Sequence, residues 1–232
     1  MQLHSEFVKK AKQNGKKLAI IDRTTEKRID YSKALIASLL LQKKIMNYKD
    51  GFIGVMIPNS AGSILTIIGI HFAGKVPVMI NYSTGAAENA EYAQKKCGFR
   101  TIITSRALLE KIGCRLVKGM VFIEDIMASI SKGDKLKAAL RSKMPEKLLL
   151  KTIHSGEESD NAVILFTSGS EKDPKGVQLS HKNLLSNIDS SLKRMEFSSD
   201  DIVLGILPFF HFFGQMAIMV DTYIRCNNCH LS

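Results

Sequence analysis

Apolar residues recur along this chain in two rhythms, and the switches between them mark out its elements. Leu3, Phe7, Val8 and Ala11 fall on one helical face. Leu18 to Ile21 and Arg28 to Asp30 flank a polar turn, Arg23 to Lys27, and read as a hairpin. Ser32 is placed to cap a helix carrying Leu35, Ile36, Leu39 and Leu40. Phe52 to Ile57 reads as a buried strand ended by Pro58 and Asn59. Ser60 then caps an apolar helix running to Ala73, with Gly69 and Gly74 suited to close packing. Val76 to Ile80, Thr101 to Thr104 and Gly119 to Ile123 read as further strands. Between them lie helices over Ala86 to Lys96, stopped at Cys97-Gly98, and over Arg106 to Ile112. Lys132 to Met144 predicts a charged surface helix ended by Pro145. Ala162 to Phe166 suits another buried strand, and Ser180 caps a helix whose apolar face is Leu184, Leu185, Ile188 and Leu192. Strands alternating with helices predict an α/β fold of doubly wound, mainly parallel sheets. The polar stretch Lys151 to Asn161 is the expected boundary between a first subdomain, 1–156, and a second, 157–232.

Gly51 to Gly74 contains no Lys, Arg, Asp or Glu, which raises a membrane span. Pro58-Asn59-Ser60 breaks that run, and what remains falls short of the ~18–20 residues a span needs. The 232 residues carry 33 basic and 22 acidic side chains, a formal net charge of +11. Such a balance favours anionic partners: nucleic acid, anionic lipid or an acidic protein. The lysines come as isolated pairs (Lys9-Lys10, Lys16-Lys17, Lys43-Lys44, Lys95-Lys96), with no aromatic-interleaved basic stripe, so nucleic acid is not expected. Four Cys and a polar start without a signal peptide point to the reducing cytoplasm. Cys97 and Cys114 read as small apolar packers. Cys226 to His230 matches the c-type haem attachment pattern. With no export signal and only Leu231 and Ser232 after it, it is read as a polar tail.

The chemistry concentrates in Ala162 to Asn183, AVILFTSGSEKDPKGVQLSHKN. The apolar run breaks into Thr167, Ser168, Gly169 and Ser170, which bring hydroxyls and backbone N–H groups together without bulk. Lys175 adds a positive charge with three donors. A Walker A loop is not met, because Lys175 precedes Gly176 and Val177 follows; a Rossmann G-x-G-x-x-G is absent too. On the residues alone, two readings stand: a cradle for a phosphate chain, or a surface hairpin rich in turn residues.

The order TSGSEKDPKG resembles the phosphate loop of the adenylate-forming ligases, the acyl-CoA synthetase and luciferase-like superfamily. Leu207 to Gly214, LPFFHFFG, is similar to that family's second signature, an apolar segment with an aromatic or His lining the acyl pocket. Val76 to Ser105 is similar to the subgroup of acyl-[acyl-carrier-protein] ligases and 2-acylglycerophosphoethanolamine acyltransferases, as is Glu171 at a position where other members have Thr. Lys172 departs from the pattern, occupying a family Gly position. The resemblance implies nucleotide binding by Thr167, Ser168, Gly169, Ser170, Glu171, Lys172 and Lys175, and acyl binding by Phe210, His211, Phe212 and Gly214. Without it, His211 reads equally as a hydrogen-bonded core histidine; His181 and the helix at Ala86 read as scaffold. It further implies ATP and magnesium, a fatty acid substrate, acyl carrier protein or CoA as thiol acceptor, and membrane phospholipid as a further contact. The family's later signatures, including its magnesium-binding Glu and catalytic Lys, have no counterpart here, and the segment leaves the pattern after Ala217. The expectation is therefore the incomplete N-terminal part of such a ligase's large domain, inactive alone. The alternative is a non-enzymatic remnant or partner-binding fragment.

Overall fold

The computed structural model describes residues 1–167, 174–194 and 201–216. The chain opens with helix α1 (Leu3–Asn14), the antiparallel hairpin β1 (Leu18–Asp22) and β2 (Lys27–Asp30), and helix α2 (Tyr31–Ile45). Strand–helix alternation follows: β3 (Phe52–Met56), α3 (Ala61–Phe72), β4 (Val76–Met79), α4 (Ala86–Cys97), β5 (Ile102–Thr104), α5 (Arg106–Ile112) and β6 (Met120–Phe122). Three helices, α6 (Ile123–Ala128), α7 (Lys132–Ser142) and α8 (Glu146–Leu150), lead to β7 (Asn161–Phe166), β8 (Gly176–Ser180) and α9 (His181–Arg194).

Six strands form one sheet in the order β6-β5-β3-β4-β7-β8. All neighbours run parallel except β8, which returns antiparallel to β7. Because successive side chains of a strand point to opposite faces, the inner strands feed two cores. Ile53, Val55, Met79, Ile103, Val163 and Leu165 join the layer built with α1, α2, α3 and α9. Met56, Val78, Ile80, Ile102 and Ile164 join the layer built with α4 and α5. This is the doubly wound, mainly parallel α/β arrangement the alternation predicts.

The cap of α3 is as expected: Ser60 accepts from the Ser63 N–H at 3.3 Å. Gly69 lets α3 lie against α2, since a Cβ there would sit 2.7 Å from Leu41 Cβ. The uncharged run 51–74 thus divides into β3 and the 12-residue α3. Among the described residues no helix is long and apolar enough to cross a membrane.

Two expectations need correction. Asp30, not Ser32, caps α2, accepting from the Lys33 N–H at 2.7 Å. The Ser32 N–H is already bound to the Gly15 carbonyl at 2.9 Å, which starts the helix before Ser32. Pro145 ends α7 but also opens α8, with Glu146 in its first turn where the helix dipole favours an acid.

Candidate active site

In sheets of this kind, ligands gather outside the carboxyl ends of the strands. There, the turn after β4 and the end of β7 enclose a cavity of about 150 Å³ lined by Ile80, Asn81, Thr84, Asn89, Tyr92, Phe166, Thr167 and Pro174. Asn89 of α4 stitches the turn shut, donating to the Asn81 carbonyl at 2.9 Å and the Thr84 carbonyl at 2.8 Å. Tyr92, one helical turn on, donates its hydroxyl to the Pro174 carbonyl at 2.9 Å and sets its ring edge-on to Phe166, centroids 5.8 Å apart. The Thr167 N–H donates to the Lys175 carbonyl at 3.0 Å, closing the β7–β8 connection. β7 and β8 thus pair as an antiparallel hairpin. Thr167 and Lys175 are both exposed. Ser168, Gly169, Ser170, Glu171 and Lys172 lie outside the described residues.

The second signature arrives at the same edge. Asn59, just beyond β3, holds it by its backbone: the side-chain amide donates to the carbonyls of Gly205 at 2.8 Å and Leu207 at 2.7 Å, and its oxygen accepts from the Phe209 N–H at 3.2 Å. Gly214 is required by close approach, because a Cβ there would lie 2.7 Å from the Leu207 carbonyl oxygen. Phe210 is buried edge-on against Tyr82, centroids 4.9 Å apart, and Tyr82 belongs to the turn that supplies Asn81 and Thr84 to the cavity. Burial raises the Tyr82 phenol's pKa. His211 lies one ring further out, 4.7 Å from Phe210 and exposed, so it is not a core histidine. Phe212 is half-buried against the larger core. His181, by contrast, is buried and scaffolding.

Among the described residues the cavity lining is uncharged. Among the described residues no group of three or more His, Cys, Asp or Glu has the geometry to hold a metal. The described cavity lining carries no carboxylate, so no described residue is assigned as a magnesium ligand. Asn59, Tyr82 and Tyr92 escape a reading of the sequence because their partners are remote; the Asn59 bonds span up to 150 positions. Asn59→Ala is expected to raise hydrogen exchange over 205–210 by about tenfold or more, from hydrogen bonds worth about 0.5–1.5 kcal/mol each. Amides of β7 serve as the unchanged control.

A sequence model of the family described as AMP-binding enzyme matches residues 7–229. The chain belongs to that family. Over 230 residues it is 24% identical to 4-coumarate–CoA ligase 2 of Petroselinum crispum, covering 94% of this chain and 41% of the relative. It is 27% identical over 233 residues to the long-chain-fatty-acid–CoA ligase of Bacillus subtilis, covering 88% and 40%. Among solved structures, VinN superposes with a TM-score of 0.77 at 18% identity, covering 96% of this chain and 54% of that one. The o-succinylbenzoate CoA synthetase of Bacillus subtilis, in complex with its acyl-adenylate intermediate, gives 0.70 at 16%, covering 94% and 53%. This chain has the fold of the N-terminal region of adenylate-forming ligases and spans about two fifths of the two ligases just named.

Proposed function

We propose that this chain supplies the N-terminal part of an ATP-dependent fatty acyl-activating ligase. The fatty acid carboxylate attacks the α-phosphorus of ATP, forming acyl-adenylate and releasing pyrophosphate. A thiol of CoA or of a carrier protein then takes the acyl group and AMP leaves. The observation that carries the reading is that Thr167, at the Thr167–Lys175 closure, and the Phe210 aromatic segment both meet the turn after β4, Thr167 at the cavity that Asn81 and Thr84 line and Phe210 against Tyr82. In this reading the loop Thr167 to Lys175 binds the triphosphate, with Lys175 as its fixed cation. Phe210, Phe212 and Gly214 shape the apolar side, and His211 faces the carboxylate. Lying the acyl chain along aromatic rings beside the phosphates positions the attack and keeps water from the mixed anhydride. The fatty acyl substrate is supported by the similarity to long-chain-fatty-acid–CoA ligases. A carrier-protein thiol is supported by the Val76 to Ser105 segment and the net charge of +11, which suits an acidic acceptor.

Non-hydrolysable acyl-sulfamoyl adenosines test this by calorimetry. The palmitoyl analogue is expected to bind more tightly than the coumaroyl analogue. Lys175→Ala is expected to weaken binding of ATP by about ten- to a hundredfold, the worth of a charge-assisted hydrogen bond of roughly 1.5–3 kcal/mol. Preference for the coumaroyl analogue would replace the fatty acyl reading with an aryl one. Binding of neither would favour the second reading, a partner-binding fragment, which the exposed Ile202, Leu204, Ile206 and Phe213 support.

A further inference from the structure

Four of the chain's six histidines meet at the opposite edge of the sheet. His4 lies in the first turn of α1, His71 in the last turn of α3, His154 in the connection before β7, and His181 at the start of α9. Ring centroids are 5.4 Å apart for His4–His181 and His71–His181, 6.0 Å for His4–His71 and 6.3 Å for His4–His154. His4, His71 and His181 are 1%, 2% and 3% exposed. The rings tie together segments remote in sequence. His4 Nε2 donates to the His154 carbonyl at 3.0 Å and His71 Nε2 to the Ala162 carbonyl at 2.7 Å. His181 Nδ1 accepts from the Leu3 N–H at 3.3 Å, across 178 positions. These partners place a proton on Nε2 of His4 and His71 and leave Nδ1 of His181 unprotonated. The Nδ1 atoms of His4 and His71 are buried without a hydrogen-bond partner.

A proton has no good place here. On His181 Nδ1 it would confront the Leu3 N–H that the atom now accepts. On His4 or His71 Nδ1 it would put a buried charge with no acceptor beside another ring. Nor does the cluster read as a metal centre, since no such grouping among the described residues has metal-holding geometry.

We propose that the buried His4–His71–His181 cluster is an acid-sensitive latch: neutral, it clasps α1 to α3 and α9; protonated, it releases α1. Burial first, and the neighbouring rings second, hold His4, His71 and His181 at about 3, against 6.5 when solvated. The Met1 ammonium adds to the depression at His181. Other charged groups face the cluster from its margins. Met1 pairs with Glu158 at 3.4 Å, Lys182 of α9 approaches Glu158 at 3.9 Å, and Asp160 accepts from the Glu157 N–H at 2.8 Å. Further along α1 are Glu6, paired with Lys9, and the buried Lys10. Neither α3 nor β7 brings another titratable side chain. Because the folded values are depressed, the released state takes up protons between about 6.5 and 3 that the closed state refuses. The latch is therefore fully stable above pH 6.5 and weakens as pH falls. The start of α9 keeps its own anchorage, because the His181 and Lys182 N–H groups donate to the carbonyls of Asp160 at 3.1 Å and Glu158 at 2.8 Å.

Hydrogen exchange of the whole 232-residue chain between pH 5 and 7.5, corrected for intrinsic rates, tests the latch. The opening constant of α1 is expected to rise steeply below pH 6.5, by up to about tenfold per pH unit for each of three rings, or about a thousandfold together. Amides of β4 are not expected to follow. His181→Asn keeps an acceptor near Nδ1, and His4→Gln keeps a donor near Nε2, while neither titrates. Each is expected to flatten the slope by about one proton. A flat α1 profile in the unaltered chain, or an unchanged slope in both variants, would overturn the proposal. Where neither variant folds, the wild-type profile decides.

Discussion

Given ATP, palmitate and labelled pyrophosphate, the 232-residue chain alone is expected to show no exchange above background. The reason lies in the charge distribution at the cavity. Adenylate formation moves negative charge among the α-phosphate, the carboxylate and the departing pyrophosphate, and rate comes from positioned groups that meet that charge. The described lining offers amides, hydroxyls and aromatic rings but no charged side chain. Lys175 lies at the rim, exposed. Removing even one preorganised donor from such a site typically costs about 10²–10³ in rate. We propose that the missing groups come from the part of a complete ligase that matches no residue here, given that the chain spans 41% of the 4-coumarate ligase it resembles. Robust, ATP-dependent exchange by the purified chain would show instead that the stabilising charges lie within these 232 residues and that the roles proposed above are misassigned.

Phe72→Ala is expected to lower the unfolding free energy by about 3–5 kcal/mol, the usual cost of emptying a large aromatic site in a core that relaxes only partly. Phe72 is 1% exposed, and its ring lies 6.1 Å from Phe7 and 6.4 Å from His4. Its carbonyl also accepts from Gln42 Nε2 at 2.9 Å and from the His154 N–H at 3.0 Å. One residue thus joins α1, α2, α3 and the connection before β7, so the truncation leaves a void where four segments meet. Denaturant unfolding at pH 7.5 gives the measurement, with Leu136→Ala as the control. Leu136 is 63% exposed on α7 and should shift stability by less than about 0.5 kcal/mol. Comparable losses in the two variants would mean that the larger core is not centred on Phe72.

How far these features can be read from the sequence depends on how local their causes are. Ser60 before an apolar run, and Gly98 after a helical one, act on their immediate neighbours; α3 and α4 begin and end where those residues place them. Asp30 and Ser32 compete for the same cap. The contest is settled by a backbone bond from Ser32 to Gly15, which belongs to the end of α1 and not to the capping pattern. Helices as short as α6 and α8 carry too few turns to establish a period. The site divides along the same line. Thr167, Lys175 and Phe210 are legible because their types recur in ordered signatures, whereas Tyr92 looks like any aromatic on a helix until Pro174 is folded over its hydroxyl. The histidine cluster is the extreme case: no spacing rule relates His4 to His181, and only the pairing of β7 with β8 brings α9 back to the start of the chain.

The pairing of β7 and β8 has a further consequence, for variation rather than for chemistry. Five registered pairs, from Asn161 with Ser180 to Phe166 with Gly176, fix both strands before the chain reaches the tip. The Thr167–Lys175 bond adds one more rung beyond them. Strand pairing that closes on its own makes β7 and β8 tolerant of what joins them, since chain-closure entropy grows only logarithmically with length, by about 0.6 kcal/mol per doubling. Sequence between the two strands can accordingly vary under selection for ligand almost independently of selection for folding.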